Sequence, residues 1–330
     1  MTRSSQLAIA LFGTLRHGTL VILAAVIAVF APADLVLGGN VRAFVDGAGN
    51  LRVNGDHDRN GNRIQISMSA TRQLGPTYLV RGGLGTTINN LPEVHLPVAE
   101  VERDLKIHMG YGPDQVKLNG VTVREELTID SGNGDDDISL KAFVYGNIRI
   151  HTRNGDDTVF IHNTISGDLN EPSSSGDFAH HQALMVDTGS GNYDVIWSIK
   201  TSAIGSVTLR SHSKRSVVFA QNLNAFGHLD VFGSAHNDYV YLYDSYVASN
   251  VDILLRMQAD LFIMDGLSVD GNLHMHMGMG DDFSHGYDIF VREEARFDGG
   301  HGDNDFIQLK ASRFGQLRPI DGFEHQLIAP

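Results

Sequence analysis

An apolar residue returns every 21 to 23 positions along most of this chain, and no other feature limits its fold as strongly. The register runs Leu105, Leu127, Ile148, Leu184, Val207, Leu229, Val251, Leu273 and Ala295, with one longer interval of 36 between Ile148 and Leu184. Two positions later come Ile107, Ile129, Ile150, Val186, Leu209, Val231, Ile253, Met275 and Phe297, usually with a polar residue between. Such alternation marks a strand with one buried face. A second strand follows, as in Val116-Lys117-Leu118, Ile138-Ser139-Leu140, Val159-Phe160-Ile161 and Val240-Tyr241-Leu242. A third is marked by Val101, Val123, Val144, Ala203, Ala225, Val247, Val269 and Val291, each four residues before a start. Three short strands in a fixed period predict an all-β chain, a right-handed parallel β-helix with coils of about 22 residues.

One coil cannot fold alone. It buries about six side chains at roughly 1.5 to 3 kcal/mol each, against about 1 to 2 kcal/mol of backbone entropy for every residue it orders. Stacked coils share hydrogen bonds and close the apolar columns, so the ends need caps. Residues 34–100, with looser strands at Leu51-Arg52-Val53, Ile64-Gln65-Ile66 and Tyr78-Leu79-Val80, are expected to form N-terminal coils and a cap. The helix proper is expected over 101–330, with an insertion at about 165–182 that contains the polar run Ser166 to Gly176.

Arg3, Arg16 and His17 precede the apolar run Leu20 to Phe30, which ends in Ala31-Pro32-Ala33. This pattern predicts an export signal over 1–33; the run is shorter than the roughly 20 residues needed to span a bilayer. A secreted, periplasmic or cell-surface protein with no stable membrane insertion after cleavage is therefore expected. The net charge of −14 opposes nucleic acid as a partner, and the absence of cysteine excludes disulfides and thiolate chemistry.

Between the first two strands lies a recurring corner, Gly110-Tyr111-Gly112, Gly132-Asn133-Gly134, Gly189-Ser190-Gly191, Gly278-Met279-Gly280 and Gly300-His301-Gly302. It leads into a column of carboxylates, Asp114, Asp136, Asp157, Asp238, Asp260 and Asp282. At about 4.8 Å per coil these repel one another unless they are screened or hydrogen-bonded to the corner backbone. Gly132-Asn133-Gly134-Asp135-Asp136-Asp137-Ile138 resembles one RTX-type nonapeptide, and this likeness implies calcium at Asp114, Asp136, Asp157 and Asp282. The unit comes once per coil here, where the RTX family repeats it in tandem. The whole architecture is similar, at the level of fold, to the pectate-lyase-like superfamily. Separately, Asp56-His57-Asp58-Arg59-Asn60-Gly61 has the D-x-D-x-N-G spacing of a calcium loop, which makes Asp56, Asp58 and Asn60 candidate ligands, although Ser67 stands where the loop's closing Glu belongs.

Two outward faces are candidates for binding. On the first strand Asp230, Asp252, His274, His276, Arg296 and Asp298 are expected near one another, and His108, Asp130, His151 and Asp187 form a shorter column. On the second strand Tyr239, Tyr241 and Tyr243 should face out together, in line with Phe219, Phe160 and, given one extra corner residue, Trp197. These features suggest a secreted non-enzymatic scaffold that binds polysaccharide or cell-envelope components, with calcium as its candidate cofactor. The alternative is a β-helix polysaccharide lyase or glycoside hydrolase.

Overall fold

The computed structural model describes residues 39–56, 59–167 and 181–329. The expected export signal, Asp58 and most of the insertion lie outside these residues. The described chain is a parallel β-solenoid whose coils stack about 22 residues apart.

The first-strand column pairs in the expected register throughout. Leu105 lies beside Leu127, Leu127 beside Ile148, Ile148 beside Leu184, and the series continues through Val207, Leu229, Val251 and Leu273 to Ala295. Ile107, Ile129 and Ile150 stack the same way, and all of these side chains are buried in one continuous core. The third column runs Val123, Val144, Ser166, Ala203, Ala225, Val247, Val269 and Val291. Ser166 is a fully buried polar rung in it. Ile165–Ser166 thus still pairs in the ladder on the N-terminal side of the insertion, and Gln182–Asp187 resumes it on the other.

The N-terminal part differs from a plain run of coils. Leu51–Asn54 and Arg63–Thr71 pair in parallel with the strands beginning at Leu105 and Gln115, so they belong to the solenoid. Gly75–Gly82, which holds Tyr78 to Val80, instead turns back antiparallel to Arg63–Thr71 and then pairs antiparallel with Glu93–Pro97. Asn40–Val45 lies antiparallel to Leu51–Asn54. These reversed strands supply the cap that an open sheet edge requires.

The glycine corners are required by the stacking itself. Gly132 has φ +102°, and a Cβ there would meet the Gly110 carbonyl oxygen at 1.9 Å. Backbones pass too closely at this corner for any side chain.

Candidate functional site: an aspartate ladder and an aromatic face

Each corner delivers its aspartate to the start of the second strand, and there the carboxylate turns inward. Oδ1 of Asp136 accepts the Asp114 amide N–H at 2.8 Å, and Asp157 accepts from Asp136 at 2.9 Å. Asp260, Asp282 and Asp305 continue the pattern by accepting from Asp238, Asp260 and Asp282 at 2.7, 2.8 and 2.7 Å. Asp194 takes the Asp157 N–H at 3.1 Å. Ser216 occupies a coil without a carboxylate, between Asp194 and Asp238, and its hydroxyl donates to Asp238 at 2.5 Å.

Asp194 and Asp305 belong to this ladder, although the spacing from the corner glycines hid them. Asp114, Asp136 and Asp282 follow the first glycine by four residues, whereas Asp194 and Asp305 follow it by five. Counting back from the second strand would have found both.

The second oxygen of each carboxylate meets different surroundings. Thr152 and Thr188 hydroxyls donate to Oδ2 of Asp157 and Asp194 at 2.5 and 2.8 Å, and the Ser234 amide donates to that of Asp238 at 2.6 Å. Oδ2 of Asp260, Asp282 and Asp305 is buried with no partner, while the Asn62 and Ser131 side chains act on Asp114 and Asp136 and lower them in part. Burial disfavours the charged form and pushes all eight carboxyls up. Asp194 reaches about 6, Asp114, Asp136 and Asp282 about 7, Asp157 about 8 and Asp260 about 9. Asp238 and Asp305 move the same way. Protons therefore relieve much of the repulsion in the column near neutral pH.

The first-strand face holds its histidines in separate pairs. His274 Nδ1 lies 3.2 Å from Asp252 on the preceding coil, while His276 Nδ1 lies 3.3 Å from Asp298 on the following one. The two imidazoles thus turn to opposite neighbours. Asp230 sits in register with Asp252, and burial, with the Asp252 charge added, raises its carboxyl. In the shorter column, His151 is in register with Asp130 and Asp187, and His108 lies 3.7 Å from Asp130. Arg153 grips both oxygens of Asp130. Burial opposes ionisation there, but His108 and Arg153 outweigh it and hold Asp130 down to about 2. Among the described residues, no group of three or more His, Asp or Glu side chains is arranged to hold a metal.

The second-strand face carries a continuous aromatic row. Phe160, Trp197, Phe219 and Tyr241 are paired in register on successive coils, with ring centroids 5.9, 5.2 and 6.2 Å apart. The extra corner residue before Trp197 is the one that also displaces Asp194. Tyr241 and Tyr243 stack at 6.3 Å with planes 8° apart, and His162 stacks on Phe160 at 4.8 Å. Val195, Val217, Tyr239 and Leu261 line up beside the row. All three tyrosines are half-buried on this face while Val240 and Leu242 fill the core. An open depression of about 650 Å³ lies at another corner, between Arg103, Arg124, Glu125 and Tyr145. Arg103 and Glu125 pair across it at 2.9 Å.

Compared with known proteins, the chain matches no family model, no curated protein and no solved structure.

Proposed function

We propose that this chain is a secreted, non-enzymatic β-helix scaffold that binds polysaccharide or another cell-envelope component along its aromatic face. The observation that carries this reading is the row Phe160, Trp197, Phe219 and Tyr241, repeated at coil spacing on one parallel sheet. Aromatic rings offer apolar area and a quadrupole to the C–H faces of sugars, and a regular row suits a ligand that is itself a repeating chain. His274 turns to Asp252 while His276 and Arg296 share Asp298, at 3.3 and 4.0 Å, so the two imidazoles do not converge on one point, which favours a polar flank over a reaction centre.

Trp197 is the only tryptophan in the chain, so its fluorescence reports directly on this face. Screening the full chain against a glycan array, and then titrating the hits while following Trp197 emission, tests the proposal. Saturable quenching or a spectral shift with an oligosaccharide is expected. Binding without any change in Trp197, or release of reducing sugar during the titration, would overturn it.

A further inference from the structure

We propose that Met257, Met279 and His301 form a copper(I) site on one corner of the solenoid. The site goes beyond the binding function above and does not depend on it.

The tips of successive corners stack as the strands do. Met257 bridges to Met279 in parallel register, and Met279 bridges to His301 in the same way. The His301 amide N–H donates to the Gly278 carbonyl at 2.8 Å, and the Met279 N–H donates to that of Arg256 at 3.1 Å. The three residues therefore form one column at the coil rise of about 4.8 Å. All three are exposed, Met257 at 42% and Met279 at 46%.

Exposure sets these two methionines apart. Met109, Met264, Met275 and Met277 fill the core, and Met68 and Met185 are half-buried. At a corner tip a methionine gives up the burial that favours it in a core, and what it offers there is a soft, polarisable sulfur on a flexible stem.

The backbone fixes where the column stands. Met279 lies between Gly278 and Gly280, and His301 between Gly300 and Gly302. A Cβ at Gly278 would meet the Arg256 carbonyl oxygen at 2.2 Å, and one at Gly300 the Gly278 carbonyl oxygen at 1.8 Å. The glycines that stacking demands thus bring no side chain of their own to cover the sulfur or the imidazole. Leu229 pairs with Val251, which puts Ala235 at the matching place one coil before Met257, and alanine has no donor to add.

Carboxylates near the column are engaged elsewhere. Asp260 and Asp282 turn into the ladder, and Asp281 accepts the Asp303 N–H at 3.2 Å and an Asn304 side-chain N–H at 3.4 Å. What remains is two thioethers and an imidazole, a soft set that selects copper(I) over hard divalent cations. Met257 and His301 are two coil rises apart, about 10 Å at the backbone, and their side chains can close on a shared ion from either side of Met279. Copper(I), with a filled d shell, accepts three such ligands in an irregular arrangement.

The test titrates the full chain with copper(I) under anaerobic conditions, in competition with a chromophoric copper(I) chelator, with circular dichroism as a check on folding. One ion per chain is expected, and X-ray absorption of the loaded protein should show sulfur neighbours. Met257→Leu and Met279→Leu keep the apolar bulk and remove the sulfur, so each should fold while binding copper(I) about tenfold more weakly or worse. His301→Gln should weaken binding to a similar degree. Met185→Leu, on the first strand of a distant coil, should bind as the parent does. No uptake by the parent, or binding unchanged in both corner leucine variants, would overturn the site. Equal loss in Met185→Leu would also do so, since copper would then bind methionines wherever they stand.

Discussion

The Asp260 amide N–H donates to Oδ1 of Asp282 at 2.8 Å, while Oδ2 of both carboxyls is buried and unpartnered. A backbone donor favours the ionised form and burial opposes it; here burial wins, and Asp260 rises to about 9. The pH dependence of stability follows from that balance. An unfolded aspartate ionises near pH 4, whereas the folded ladder keeps its protons to higher pH. Between about pH 4 and 9 the unfolded state therefore binds fewer protons, and stability falls as pH rises. Asp130, held down to about 2, has the opposite sign: its contribution is present above about pH 4 and lost as pH falls toward 2. In chelator, the thermal midpoint should peak near pH 4 to 5 and decline steadily to pH 9. Asp260→Asn keeps an acceptor for the Asp238 N–H, so it should flatten the decline and exceed the parent at pH 9 by about 1 to 3 kcal/mol. A midpoint that rises from pH 5 to 9 would refute this account.

Ile150 lies between Ile129 and Val186 in the first-strand column and is fully buried. Its neighbours are held by ladder hydrogen bonds on both sides, so the column has little freedom to collapse into a hole. Ile150→Ala should cost about 2 to 5 kcal/mol in urea unfolding.

Gly132 and Gly120 both have positive φ, +102° and +65°, but their surroundings differ. A Cβ at Gly132 strikes the Gly110 backbone, while one at Gly120 meets nothing within 4 Å. Gly120→Ala should cost about 1 kcal/mol, from the left-handed conformation alone. Gly132→Ala must also push two coils apart and should cost at least about 3 kcal/mol, to be compared in the same melt.

Tyr241 stacks on Tyr243 and lies beside Phe219, with none of its ring in the core. Tyr241→Ala should weaken oligosaccharide binding about tenfold or more and lower stability by only about 1 kcal/mol. Calorimetry on the ligand and a denaturant melt on the protein separate the two effects. A loss of several kcal/mol in stability with affinity unchanged would show that the ring supports the fold and does not bind.

The coil register was legible in the sequence because a parallel ladder copies one strand's pattern onto the next. Leu105, Leu127 and Ile148 stack because each fills the same inward position, and a slip of one residue would turn every side chain to the wrong face. Trp197 could be placed beside Phe160 and Phe219 for the same reason. Tertiary structure decided what lies between the strands and at the cap. Spacing could not reveal that Gly75–Gly82 runs antiparallel, since a capping strand alternates in the same way as a coil strand. Nor could it show that Asp114 and its successors turn inward onto amides of the preceding coil. A carboxylate's direction at a corner depends on which donors and apolar groups the neighbouring coils present, and those meet only when the coils stack.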